Sequence, residues 1–193
     1  MSPFYDRLEN NMNNTLHPHI EKILVSKEEI ENIIEKISDK INSDYKGEEL
    51  VVVVILKGSL VFASDLIRKI NVPVTLEFMR VSSYGSGTST SGFINIKQDL
   101  EDDISGKNVL IIEDIIDSGN TLYRLKKVLS ERNAKTCRIC TLLDKPERRT
   151  TDVEVKYMGK AIPNEFVVGY GLDYNENYRN LPYVGVLKRE IYE

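Results

Sequence analysis

The stretch VLIIEDIIDSGNTL, Val109–Leu122, decides how this chain is read. Its first half is a run of branched apolar residues, the pattern of a strand buried on both faces of a parallel sheet. Its second half delivers Glu113, Asp114 and Asp117 into a turn of small polar residues that opens a helix. Carboxylates beside a core are unfavourable unless a cation or hydrogen-bond donors meet them. The end of this strand is therefore where chemistry is expected.

The same alternation of elements extends outward on both sides. Ser26 and Glu29 form a capping-box pattern ahead of Ile30, Ile33, Ile34, Ile37 and Ile41, which repeat at helical spacing. ELVVVVILKG reads as a fully buried strand, SLVFASDLIRKI as a helix and VPVTLEFMRV as a strand. SSYGSGTSTSG is a long polar loop, followed by strand-like FINIKQDL. After the strand KNVLIIED come the helix TLYRLKKVLSERN, the strand TCRICTLLD and further strands VEVKYMG, EFVVGYGLD and YVGVLK. Strand–helix–strand units at this spacing predict an α/β fold with a mainly parallel twisted sheet flanked by helices. Residues 1–19, Asn-rich and without periodicity, read as a loosely ordered extension, and residues 20–193 as a single domain.

Composition narrows the function classes. At 193 residues, 41% hydrophobic and 29% charged, the chain is of ordinary globular character. No apolar run is long enough to cross a bilayer, and the start MSPFYDRLENNMNN lacks a secretory pattern, so a cytoplasmic location with no membrane partner is expected. A net charge of −4 argues against a broad nucleic-acid footprint. Cys137 and Cys140 form a C-x-x-C, but residues three apart on a strand face opposite ways and no second cysteine pair completes a zinc shell. His17 and His19 both fall in the polar amino-terminal segment, so an interior general base is expected to be a carboxylate or lysine.

Open parallel sheets bind ligands at the carboxyl ends of their strands. Three strands deliver polar groups there: Lys57-Gly58, Glu113-Asp114 and Asp144-Lys145. Asp117–Thr121, DSGNT, opens a helix whose unpaired N–H groups and dipole suit a phosphate monoester, with Gly119 allowing close approach and Ser118 and Thr121 adding hydroxyls. An ordinary helix cap explains the same five residues. The acid pair upstream favours a sugar phosphate, whose vicinal hydroxyls need acceptors and whose metal ion needs hard oxygen ligands. Walker and dinucleotide patterns are absent, since GSGTST has Thr90 at the third glycine position.

VLIIEDIIDSGNTL resembles the phosphoribosyl-pyrophosphate motif of the type I phosphoribosyltransferases, in the Glu-Asp form of their hypoxanthine-guanine branch. LKGS at Leu56, SSYG at Ser82, LLDKPERR at Leu142 and FVVGYGLDYNENYRNLPYVGVL at Phe166 match that branch in order, so the resemblance covers roughly residues 20–190. It implies a small hood beside the main sheet, a flexible lid loop, and transfer of a 5-phosphoribosyl group from phosphoribosyl pyrophosphate to a 6-oxopurine. The products would be a purine nucleoside monophosphate and pyrophosphate, as in purine salvage.

By resemblance, Glu113 and Asp114 engage the ribose hydroxyls and magnesium, and Asp117, Ser118, Gly119, Asn120 and Thr121 bind the 5′-phosphate. Asp117 also lies near the purine N7, as general base or as an orienting partner. Leu56, Lys57 and Gly58 form a pyrophosphate loop whose Leu56–Lys57 peptide can be cis, with Arg179 as a second contact. Lys145 donates to a 6-carbonyl, so it selects hypoxanthine and guanine over adenine. Phe166 stacks on the base, the Val167 carbonyl reads its edge, Asp173 holds magnesium, and Ser83 and Tyr84 close over the pyrophosphate. Lys160 stands where an apolar aromatic is common. The family implies a homodimer or homotetramer. The alternative is a phosphoribosyltransferase-like regulatory protein that binds RNA, for which RLKKVLSERNAK is the candidate basic face.

Overall fold

The computed structural model of the chain describes residues 16–83 and 94–193. In chain order the elements are β1 (Ile20–Val25), α1 (Lys27–Asp44), β2 (Leu50–Ile55), α2 (Leu60–Ile67), β3 (Val74–Ser83), β4 (Ile94–Gln98) and β5 (Asn108–Ile116). They continue with α3 (Asn120–Ser130), β6 (Thr136–Asp144), β7 (Tyr157–Ala161), β8 (Val167–Val168), β9 (Val184–Leu187) and α4 (Arg189–Tyr192).

Six strands form the main sheet in the order β4-β3-β2-β5-β6-β7, parallel except for β4, which runs antiparallel to β3 at the edge. The central strands are covered on both sides, as their unbroken apolar sequence requires. Val52, Val54, Leu110 and Ile112 face α1 and α2, in one cluster with Ile30, Ile34, Phe62 and Leu66. Val51, Val53, Val109 and Ile111 face the other way, in a cluster with Leu122, Leu125 and Leu129 of α3. The period of two thus divides each strand between two cores. Cys140 belongs to the first cluster and Cys137 packs against the second, so the C-x-x-C spans the sheet.

A second sheet of three antiparallel strands, β1-β9-β8, stands apart as the hood. Its first strand has no clear sequence signature. Ile20 and Val25 are buried while Glu21, Lys22 and Ile23 are exposed, and pairing with β9 supplies the backbone partners. Of the segment expected to be loose, residues 16–19 make a turn in which the Ile20 N–H donates to the His17 carbonyl and the His17 N–H donates to Tyr183 Oη.

Several expected boundaries move. The strand expected at 165–173 is two residues long, because Gly169, Tyr170 and Gly171 have φ of 98°, 50° and 101° and turn the chain out of the sheet. The strand expected at 153–159 instead occupies Tyr157–Ala161, Val153 being packed in the α3-side core. At the start of α1, Ser26 Oγ accepts from the Glu29 N–H, but the Glu29 carboxylate pairs with Lys160, so half of the capping box forms. That pair accounts for a lysine where an aromatic was expected. Tyr84 and most of the expected lid lie outside the described residues. No helix among the described residues is long and apolar enough to cross a membrane.

Cys140 is buried, and burial pushes its thiol far above the ordinary range, whereas Cys137 is partly exposed. A thiol reagent applied to the folded protein is expected to modify Cys137 alone, and a mild oxidant to form no intramolecular disulfide. Mass spectrometry reads both, and loss of two thiols together would contradict the placement across the sheet.

Candidate functional site

The carboxyl ends of β2 and β5 and the start of α3 enclose a cleft of about 360 Å³. Leu56 and Gly58 line it from the turn after β2, and Glu113 to Gly119 line it from β5 onward, with Thr121 on α3. The expected strand boundary at Asp114 moves to Ile116, so both carboxylates are still on the strand. The Leu56–Lys57 peptide is cis.

Glycine is required at two points in this wall. A Cβ on Gly58 would overlap Asp114 Oδ2, so the main chain of the β2 turn and the carboxylate of β5 meet only because no side chain intervenes. Gly119, at φ 85°, is the cap residue of α3, and a Cβ there would come within 2.7 Å of the Thr151 carbonyl oxygen.

The acid pair is unusual electrostatically. Both side chains are half-buried at the cleft wall, and desolvation together with the neighbouring Asp114 charge pushes Glu113 well above the usual range. Burial raises Asp114 to about 6, opposed by the Ile115 N–H, which donates to Asp114 Oδ1 at 2.7 Å, and by the Arg179 charge. Glu113 Oε2 is buried with no hydrogen-bond partner among the described residues. An acceptor left open in this way fits a hydroxyl donor or a hard cation. Among the described residues, however, no three His, Cys, Asp or Glu side chains converge on a metal position. Asp173, expected beside the pair, is engaged by Arg179 at 2.8 Å and accepts from the Glu176 N–H.

Asp117 does not cap α3. Its Oδ1 accepts from Arg148 Nε at 2.6 Å, while the Arg149 Nε–H donates to the Asp117 carbonyl. Arg149 also pairs with buried Asp144 at the end of β6. Ser118 Oγ accepts from the Asn120 N–H, and the Ser118 carbonyl accepts from the Thr150 and Thr151 N–H groups, each at 3.0 Å. The Asn120 side chain faces Thr150 and Thr151. The turn is thus braced by the segment that follows Lys145. Arg148 and Arg149 were missed in sequence, although PERR lies next to Lys145.

Lys57 and Arg179 line an adjoining cavity together with Leu56, Gly171 and Glu176. Lys57 Nζ and Arg179 Nη2 both donate to Glu176 Oε2, at 3.0 and 3.2 Å. Glu176 was also not anticipated, because the left-handed turn that presents it leaves no pattern in composition. Lys145, Phe166 and Val167 line neither cavity. Burial lowers the Lys145 ammonium, an effect opposed by Asp117, and the Lys145 backbone N–H donates to the Ile116 carbonyl. Phe166 is 39% exposed and stacks on Tyr192 at 4.7 Å, and Val167 is buried in the hood. Ser83 ends β3, and Tyr84 is outside the described residues.

The basic stretch 124–135 does not make the open cationic face that an RNA-binding regulator needs. Lys126 pairs with Glu154, Lys127 with Glu131, Arg132 with Asp99 and Lys135 with Glu48.

A carboxyl raised in the folded state stabilises the fold below its unfolded value and loses that contribution as pH rises through the folded value. Ionised Asp114 is therefore a burden on the empty protein above about pH 6. Asp114→Asn is expected to raise unfolding stability at pH 8, in chelator, by on the order of 2 kcal/mol. The gain should shrink as pH falls through that value, read as thermal unfolding of both proteins across pH. A gain independent of pH would show that the charge is not the cause.

A family model, "Phosphoribosyl transferase domain", matches residues 22–175. The hypoxanthine-guanine phosphoribosyltransferase of Streptococcus pneumoniae strain R6 is 52% identical over 177 residues, 92% of this chain and 98% of the relative. That of Staphylococcus aureus strain Mu50 is 50% identical, over 92% and 99%. A crystal structure of a hypoxanthine phosphoribosyltransferase from Staphylococcus aureus superposes with TM-score 0.89 at 49% identity, over 95% of this chain and all of that one. The turn that opens α3, the paired acids near the end of β5 and these likenesses over nearly the whole length agree, and the chain belongs to the phosphoribosyltransferase family, in its hypoxanthine-guanine branch.

Proposed function

We propose that this chain transfers the 5-phosphoribosyl group of phosphoribosyl pyrophosphate to hypoxanthine or guanine, giving IMP or GMP and releasing pyrophosphate. The observation that carries this reading is the pair Glu113 and Asp114 in the cleft wall directly before the turn 117–121, with Glu113 Oε2 lacking a partner among the described residues. Ribose hydroxyls are donors that such acceptors satisfy, and the N–H groups at the start of α3 receive the 5′-phosphate.

In this reading a purine nitrogen forms a bond to the anomeric carbon as the bond to pyrophosphate breaks, and the proton lost by the base is taken up or steered by Asp117. Arg148 holds the Asp117 carboxylate in place from the outer side. Lys57 and Arg179 grip the departing pyrophosphate, a group suited to a guanidinium fork. Lys145 donates to the 6-carbonyl, and an amino group there would oppose donor to donor. Phe166 and the Val167 carbonyl hold the face and edge of the base. Ser83 and Tyr84 complete the closure over pyrophosphate.

Magnesium fits the oxygen donors of Glu113 and Asp114, with Asp173 held nearby by Arg179, provided the substrate adds ligands, since the protein alone offers no three-residue site among its described residues. When bound, it would neutralise charge on the pyrophosphate.

The test follows nucleotide formation from phosphoribosyl pyrophosphate and magnesium with hypoxanthine, guanine, xanthine, adenine and uracil in turn. Turnover of hypoxanthine and guanine with little adenine activity is expected, with a loss of about 10²-fold or more in Asp117→Asn. Lys145→Gln should narrow the gap between hypoxanthine and adenine. No turnover of any base would refute the reading. A separate variant tests the meeting of the two walls: Gly58→Ala, which forces Asp114 aside, is expected to lower kcat/KM by about 10²-fold while the protein still unfolds cooperatively.

A further inference from the structure

Lys57 and Arg179 do not wait empty for an anion. Both donate to one oxygen of Glu176, at 3.0 and 3.2 Å. The three contacts of the Arg179 guanidinium differ in kind. Nη1 donates to the Gly171 carbonyl at 2.8 Å and Nη2 meets Asp173 at 2.8 Å, which fixes the plane of the group. Nε is buried and has no partner among the described residues. The Glu176 contact is the exposed one: its side chain is 64% accessible against 29% for Asp173.

The backbone keeps this carboxylate close without clamping it. Asn175 and Glu176 both have left-handed φ, 49° and 62°, in a tight turn closed by the bridge between Tyr174 and Asn177. The Glu176 N–H is tied to Asp173 Oδ2 at 2.9 Å, so the main chain is anchored while the side chain extends into solvent. An exposed carboxylate tethered beside two cations acts at high effective concentration, yet each exposed ion pair is weak enough to exchange.

We propose that Glu176 is a built-in competitor for the pyrophosphate seat. It holds Lys57 and Arg179 together while the seat is empty, swings away when the pyrophosphoryl group arrives, and returns to speed departure of the product. The inference rests on the proposed function, which places pyrophosphate on these two residues. Glu176 touches no reacting atom and is a positioning residue.

The experiment titrates pyrophosphate, with magnesium, into wild type, Glu176→Gln and Glu176→Ala by calorimetry, and separately titrates IMP. Removing the competing charge is expected to tighten pyrophosphate about three- to tenfold in both variants, with IMP affinity unchanged. In turnover, KM for phosphoribosyl pyrophosphate should fall and pyrophosphate should inhibit at lower concentration. Equal or weaker pyrophosphate binding in both variants, beside a wild type that binds it, would overturn the competitor role alone. A wild type that binds no pyrophosphate and turns over no base would overturn the proposed function and this inference with it.

Discussion

Two half-buried carboxylates side by side near the end of a central strand are the constraint around which this structure is arranged. Glu113 and Asp114 sit on β5 just beyond its pairing with β2, which ends at Ile112, and beside β6, which stays paired with β5 to Ile116. Burial and charge repulsion oppose their ionisation, and one oxygen of Glu113 meets no donor among the described residues. Such a pair persists only where the surrounding fold is stable enough to carry it, and here the sheet is sealed on both faces by separate apolar clusters. The unfavourable element therefore sits on a strand packed on both faces by apolar clusters.

Around that strand the remaining polar groups are arranged in pairs that brace one another. Arg149 joins Asp144 of β6 to the main chain of Asp117, and Arg148 holds the Asp117 side chain. On the opposite side, Gly171 approaches Gly58 so closely that a Cβ would collide with the Gly58 carbonyl, which brings the loop bearing Arg179 against the turn bearing Lys57. Each cationic group near the cleft is thus positioned by contacts that do not depend on a ligand.

How much of this the sequence discloses depends on how local the cause is. β2, β5 and β6 are legible because burial on both faces demands an unbroken run of branched residues, and α1 because Ser26 and the isoleucine spacing mark its start and face. Gly119 is legible too, as the residue in a helix-opening turn that can take φ 85°. β1 was passed over: IEKILV has neither clear alternation nor helical spacing, and it becomes a strand only through β9 at the far end of the chain. The shortness of β8 follows from three successive left-handed residues, of which Tyr170 gives no warning. The pairs Lys57–Glu176 and Asp117–Arg148 join loops that sequence alone does not bring together. The paired acids and the helix-opening turn were read from composition and order, while the roles given to Phe166, Val167 and Lys145 came through family resemblance.

The hood has an order of assembly written into its strand pairing. β8 pairs only with β9, and β9 with β1, so the three-stranded sheet unites the first and last strands among the described residues. The main sheet needs no such meeting of ends: α2 joins β2 to β3 and α3 joins β5 to β6, each a single-helix crossover between neighbouring strands, and β5 finds β2 already made beside it. On a ribosome, β1 therefore waits unpaired, carrying its exposed Ile23, through synthesis of the whole main sheet. The acid pair and the turn before α3 are in place before Phe166 and Val167 acquire a sheet to stand on. A chain stalled short of β9 would hold the cleft at the ends of β2 and β5 and no hood.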